Sequence, residues 1–470
     1  MIDHTLHRVG PPTPRKLKPY TVNQLDSIPQ LDCLSEEDRL AIRVVAQVLP
    51  FRVNDYIVNE LIDWSRVPDD PIYRITFPQR EMLDTAAFDE LAGLLQREAP
   101  AELVAARVKE IRSGLNPHPA DQQDLNIPTW NSERLEGIQH KYRETVLFFP
   151  SQGQTCHSFC TFCFRWAQFV GDRDLQIAGT SAQDLHQYLA ARQEVSDLLV
   201  TGGDPMVMRT RLLAKFLEPL LEPSYDHIQS IRIGTKALTF WPHRFVSDAD
   251  SDDLLRLFEN LAAGGKQVAI MAHINHWREL ETPIAREAIR RLRDVGVVLR
   301  GQAPLLAKIN DSSNTWAQTW RTQVALGMVP YYMFVERDTG PRGYFEVPLA
   351  RAAEIYRNAI RQVSGLARTA RGPSMSAGPG KVEVQGVAEI QGQRVFVLRF
   401  IQARNADWVQ RPFFAEYDSR AVWLDDLRPA FGDKQFFYEA EYESICAAGA
   451  GRRHTLRADD AGQDFRTREA

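Results

Sequence analysis

Nothing in this chain approaches the roughly 20-residue apolar run that spans a bilayer. Its opening stretch, MIDHTLHRVGPPTPRKLKPY, has no apolar core of the kind a secretory signal carries. A soluble, cytoplasmic protein with no membrane partner is therefore expected. Long basic blocks are missing too, and the formal net charge is −5. That balance argues against nucleic acid as a bulk electrostatic partner. Internal repeats and low-complexity tracts are absent. Cysteine is scarce and odd in number, five in 470 residues, which excludes a disulfide framework. Cys33 and Cys446 stand alone and read as ordinary thiols. The other three crowd into CHSFCTFCF, residues 156–164.

What is present is enough apolar material for a substantial core, 44% of residues. The length fits two to four domains, or one large α/β barrel with appendages. Residues 1–20 read as an irregular arm and 21–115 as helical. SEEDRLAIRVVAQVLPF opens on a Ser-x-x-Asp pattern resembling a capping box, and two further helices break near Pro100. Residues 114–135 are polar and read as a linker. From 143 the texture changes. TVLFFP, DLLVTGG, SIRIGTKA, KQVAIMAHI, GVVLRGQAPLL and GMVPYYMF read as six buried strands alternating with amphipathic helices. Such alternation implies a parallel sheet with right-handed crossovers. The fold class is therefore α/β: a partial β/α barrel over 136–368, preceded by an N-terminal helical region (1–135) and followed by a smaller C-terminal α+β extension (369–470). An open doubly wound sheet is the competitor. In the extension, VEVQGVAEIQGQRVFVLRF reads as a hairpin or meander and the last residues as frayed. The acidic, aromatic run DSRAVWLDDLRPAFGDKQFFYEAEYESI covers the barrel, makes a subunit contact or packs on its own domain.

Cys156, Cys160 and Cys163 follow the first strand, at the barrel mouth where active sites sit. Three thiolates on one short loop can hold three irons of a [4Fe–4S] cube and leave the fourth open. The competing readings are a zinc site, with His157 as a fourth ligand, or three unligated core cysteines. LLVTGGDP then ends the second strand with Gly202, Gly203, Asp204 and Pro205. Glycines permit close backbone approach, and exposed backbone groups at a strand end can hydrogen-bond an amino group.

CxxxCxxC followed by this turn resembles the radical S-adenosylmethionine superfamily. IRIGTKALTFWPHRF, HINH, LRGQAPLLAKIND, PYYMF and GPGK then occur in the order seen in the lysine 2,3-aminomutase family, over roughly residues 140–385. The resemblance implies a [4Fe–4S] cluster and S-adenosylmethionine, which generate a 5′-deoxyadenosyl radical. It also implies pyridoxal 5′-phosphate, on which an amino acid is held while its nitrogen migrates from Cα to Cβ. The cofactors supply the hard chemistry; the protein positions and shields. An electron donor such as flavodoxin or ferredoxin and a homo-oligomer belong to the same expectation. Residue by residue, Cys156, Cys160 and Cys163 match the iron ligands, and Gly202 to Pro205 the methionine-binding turn. His273 and Gln302 match positions near the ribose. Arg165 matches an arginine that pairs with the substrate carboxylate, and Lys381 the lysine that holds pyridoxal phosphate.

This sequence departs from the family pattern in three places. The glycine run before the lysine is SAGPG, with Pro379 inserted. Upstream of the cysteines, Lys141 and Thr145 stand where the lysine enzymes carry arginines near pyridoxal phosphate. The two aspartates that hold the distal ammonium of lysine align with Arg337 and Ser374. A cation cannot hold an ammonium. Arg337 would suit an acidic side chain, although Asp338 is adjacent and a one-residue shift would restore a carboxylate. The expectation is a radical S-adenosylmethionine isomerase: a 2,3-aminomutase acting on a small amino acid other than free lysine. Two alternatives stand beside it. One is a radical enzyme without pyridoxal phosphate that modifies a protein or natural product. The other is a non-catalytic iron–sulfur or zinc protein.

Overall fold

The structure is a computed structural model, describing residues 14–116, 125–130, 133–171 and 177–448. Most of the expected arm, part of the 114–135 linker and the frayed end at 449–470 lie outside the described residues.

An eleven-stranded mixed sheet organises the chain. Its strands are β1 (Ile138–Tyr142), β2 (Thr145–Phe148), β3 (Asp197–Val200), β4 (Ser230–Thr235), β5 (Gln267–His273) and β6 (Val298–Leu305). They continue as β7 (Val329–Val335), β8 (Arg371–Ser376), β9 (Gly380–Ile390), β10 (Gln393–Ala403) and β11 (Pro412–Glu416). Spatial order follows chain order without a reversal. Strands β2 to β8 are parallel, and β1 and β9 to β11 are antiparallel to their neighbours. A doubly wound sheet reverses its order at a switch point; this one does not. Right-handed crossovers that always step the same way put every helix on one face.

Alternation along the strands explains the two faces. Val146, Phe148, Leu198, Val200, Ile231, Ile233, Val268 and Ile270 pack on helix residues such as Leu189, Leu217, Phe258 and Leu292. Residues between them in sequence, Leu147, Leu199, Arg232, Met271 and His273, line one cavity together with residues of β1, β6, β7, β9 and β10. The sheet therefore curves around that cavity. β1 and β11 are its two edges and do not pair, so the arc stays open.

All six expected strands form. A seventh parallel strand, β8, was not expected, because RGPSMS carries Gly372 and Pro373, which ordinarily punctuate strands. The helix Leu349–Ile360 brings it back alongside β7. The expected hairpin is β9–β10, turning at Gln391 and Gly392, both at positive φ, as a primed two-residue turn requires. In the N-terminal region the helix Glu36–Val48 is capped by Ser35, whose Oγ accepts from Asp38 N at 3.1 Å. Thr85–Gln96 and Ala101–Leu115 form the two helices around Pro100. Residues 51–82, expected to be helical, form only short pieces, among them Ile57–Leu61 and the helix Pro71–Thr76, with Pro68 and Pro78 bounding the last. The aromatic run after 418 packs on its own chain: Trp423, Leu424, Phe436 and Tyr438 are buried against Phe396, Phe400 and Phe413.

Candidate active site

The cysteine loop has almost no regular structure of its own, so its shape comes from its neighbours. Phe159 N and Ser158 Oγ both donate to Arg52 O at 2.9 Å. Arg52 Nη1 returns bonds to Thr155 Oγ1 at 2.7 Å and Cys156 O at 3.2 Å. Thr161 N donates to Ile75 O at 3.0 Å, and Asn54 Nδ2 to His157 O at 3.3 Å. The N-terminal region thus moulds the loop by main-chain and side-chain bonds, and Cys156, Cys160 and Cys163 all face the central cavity of about 700 Å³. Burial pushes the thiols up: Cys156 well above the usual thiol range, Cys160 to about 12 and Cys163 to about 11. Among the described residues no three His, Cys, Asp or Glu side chains converge on one ion position. A tetrahedral zinc needs such convergence. A cube takes each thiolate on a different iron, and three cysteines of one loop facing one cavity are a donor set of that kind.

The Gly-Gly-Asp-Pro turn packs directly on that loop. A Cβ at Gly203 would sit 2.4 Å from Thr155 O, and one at Gly202, where φ is +148°, 2.3 Å from Gln154 Nε2. The glycines are thus required by the cysteine loop itself. Gly203 N and Asp204 N donate to Gly153 O, and Asp204 N also to Thr155 O. The Asp204 carboxylate is consumed locally, accepting from Met206 N at 2.9 Å, Thr235 Oγ1 at 2.6 Å and Lys236 N at 3.0 Å. Among the described residues nothing donates to the carbonyls of Gly202 and Gly203. These are what the turn offers an ammonium. His273 also faces the cavity; burial holds it well below its usual range, hence neutral, and its Nε2 is buried without a partner. Gln302 is beside it on β6, the strand paired with β5. An amino acid–nucleoside ligand fits such a wall of carbonyls and neutral polar groups.

The same cavity is rich in cations. Lys141, Arg165, Arg337, Lys381 and Arg404 face the cavity, and among the described residues none forms an ion pair with a carboxylate. Phe164 contacts two of them: the Arg165 and Arg337 guanidinium carbons are each 5.2 Å from its ring centre. Burial lowers both arginines, Arg165 to about 10, and Arg337 Nε has no partner. Lys381 lies over the Tyr332 ring at 4.3 Å and the Phe334 ring at 5.6 Å. Burial first, then Arg232 and Arg371, bring its amine down to about 7. A lysine that must react with a carbonyl needs this neutral fraction. Glu336, the carboxylate next to Arg337, is pushed well up by burial.

The cavity brings together most residues expected from sequence: the three cysteines, Gly202, Gly203, Asp204, His273, Gln302, Lys141, Arg165, Arg337, Asp338 and Lys381. Two fall outside its wall. Pro205 is buried beneath the turn. Ser374 corrects the expectation of a substrate contact: β8 carries it fully buried, with Oγ unpartnered, and the cavity wall there is Ser376. Sequence reasoning missed Arg232, Tyr332, Phe334, Arg404, Trp423 and Tyr442. Arg232 and Phe334 lay inside quoted strands at cavity-facing positions, so the period of two could have found them. Arg404 carried no signal at all.

Sequence comparison then supplies relatives. A putative L-lysine 2,3-aminomutase of Aquifex aeolicus is 31% identical over 396 residues, 84% of this chain and 91% of that protein. L-lysine 2,3-aminomutase of Bacillus subtilis is 24% identical over 78% of this chain and 67% of its own length. The Escherichia coli L-lysine 2,3-aminomutase is 29% identical over 54% and 68%. No protein-family model matches. Among solved structures, Streptococcus suis SuiB bound to precursor peptide SuiA aligns over 67% of each chain at 13% identity, with a TM-score of 0.33, too low to bear on the fold.

Proposed function

The chain belongs to the lysine 2,3-aminomutase family of radical S-adenosylmethionine enzymes, and we propose that it moves an amino group between C2 and C3 of an amino acid with an acidic side chain. One observation carries the choice of substrate: Arg337, facing the cavity with its Nε buried and without a partner, stands where a lysine enzyme needs a carboxylate. Like charge supports it: Arg337 is buried with Arg165 near it in the same cavity, and the ammonium of lysine brought there would add a further positive charge, at a cost of several kcal/mol.

The cysteine loop, the carbonyls of Gly202 and Gly203, His273 and Gln302 would hold the cluster and S-adenosylmethionine, and Lys381 would hold pyridoxal phosphate. When bound, these groups supply the hydrogen-abstracting radical and an electron-accepting ring. The chain's own residues do the rest. Lys381 presents a neutral amine against the Tyr332 and Phe334 rings, which keep water from it. Arg165 offers a planar fork to the α-carboxylate. Arg337, which shares the Phe164 ring with Arg165, each guanidinium carbon 5.2 Å from its centre, offers a second fork for a second carboxylate.

The test has two parts. Reduction with borohydride in the presence of pyridoxal phosphate should leave one adduct, on Lys381, located by peptide mass spectrometry. Turnover of L-glutamate and L-aspartate should exceed that of L-lysine at equal concentration. Labelling scattered over surface lysines, or L-lysine turned over as fast as either acid, sinks the reading.

A further inference from the structure

We propose that Arg404 and Lys141 form the seat for the phosphate of pyridoxal phosphate, so that the C-terminal extension supplies a cation to the cofactor. This rests on the reading of Lys381 given above. The placement follows from register. Lys381 on β9 pairs with Gln402 on β10, and Gly380 with Ala403. Arg404 is the next residue, so it is level with the loop that leads into the reactive lysine. Its backbone N–H donates to Pro379 O at 3.0 Å and its Nε to Gly378 O at 2.9 Å. From the other side Lys141 Nζ donates to Ala377 O. Two cations on elements more than 250 residues apart in sequence thus grip adjacent carbonyls of one loop.

Among the described residues neither forms an ion pair with a carboxylate. Lys141 is held well below its usual range by burial, then by Arg404, Arg337 and Lys381. A lysine so placed costs free energy until an anion arrives. Position 145, where the related lysine enzymes carry an arginine, cannot help. Thr145 Oγ1 is bonded to Asp197, which also binds Arg232. Arg404 therefore replaces that charge from a different strand. Asn126 Oδ1 accepts from Arg404 Nη2 at 2.6 Å and fixes the fork. Tyr442, whose hydroxyl would be 2.2 Å from a Cβ at Gly378, closes the corner. A dianion tethered to Lys381 through its own aldehyde matches this corner in charge and in reach. Arg337, over Phe164, is left for the substrate.

The experiment compares pyridoxal phosphate with pyridoxal, which lacks only the phosphate. Both are titrated into the full-length protein and into Arg404→Gln, Arg404→Lys and Lys141→Gln, with capture by Lys381 followed by absorbance. The unaltered protein should prefer the phosphorylated form. Arg404→Gln should lose roughly tenfold or more of that preference, as expected for one charge-assisted contact, while pyridoxal uptake stays the same. Arg404→Lys should recover part of it. Lys141→Gln should behave like Arg404→Gln. If Arg404→Gln weakens both compounds equally, the residue is only a strap for the loop and the assignment is overturned. If the preference survives intact, the phosphate binds elsewhere and it is likewise overturned. If the unaltered protein captures neither compound at Lys381, the parent reading fails and the seat fails with it.

Discussion

At the scale of single residues, the site is set by side chains whose ordinary behaviour has been altered by burial. Lys381 is the clearest case. The sequence marks it only by position after a glycine-bearing loop, where a lysine is usually unremarkable. Its neutral amine comes from a tertiary arrangement: the Tyr332 and Phe334 rings exclude water, and Arg232 and Arg371 are the charges that face it. The sign of the pH effect follows. A group lowered to about 7 is mostly protonated at pH 6 and mostly neutral at pH 8. The rate of pyridoxal phosphate capture should rise with pH up to about 7 to 8 and then level off. An unperturbed lysine would keep accelerating toward 10.5. Stopped-flow absorbance across pH 5.5 to 9.5, on a protein whose fold is checked at each pH, measures this. A rate still climbing tenfold per unit at pH 9 would contradict the environment described here. Arg337 was legible in the sequence as a misfit, a cation where the family pattern wants an acid. Arg404 was not legible, because its importance lies in strand register and in Lys141, neither of which its own neighbours in sequence reveal.

At the scale of elements, the CxxxCxxC motif was readable from spacing alone, yet what shapes it was not. The loop has almost no internal regular structure, and its bonds run to residues about a hundred positions earlier. Asn54 shows how. It is fully buried; Nδ2 donates to Phe240 O at 2.9 Å and His157 O at 3.3 Å, while Oδ1 accepts from Ile57 N at 3.0 Å. One amide thus ties the N-terminal region, the cysteine loop and the helix after β4. Asn54→Ala should leave these buried groups unpaired and cost about 1–3 kcal/mol. A drop in melting temperature together with fewer irons retained per chain after reconstitution is the expected result. Unchanged iron content would mean that the bonds to Arg52 and Ile75 suffice to hold the loop. β8 shows the opposite failure of sequence reasoning. Gly372 and Pro373 are strand breakers in isolation, but β7 on one side and β9 on the other supply enough pairing to override local preference.

At the scale of the whole molecule, a composition change near residue 370 suggested a separate C-terminal region. The sheet crosses that point without interruption. β8 pairs with β7 on one side and β9 on the other. A core crosses it as well: Val335 and Leu349 are buried with Phe396, Phe400 and Trp408. The cavity is closed by Lys381, Gln402, Arg404, Trp423 and Tyr442, all beyond residue 370. A chain ending at 368 would therefore expose the long edge of β7 and strip apolar cover from it, a combination that favours aggregation. It should be recovered mainly as insoluble protein, and any soluble fraction should unfold without a cooperative transition. The full-length chain should unfold with one transition through the sheet, so that far-ultraviolet and tryptophan signals coincide. A soluble, cooperatively folding 1–368 fragment would instead mean that β2 to β7 form a self-sufficient unit. The extension would then be an added cover whose only duty is to bring Lys381 and Arg404 to the site.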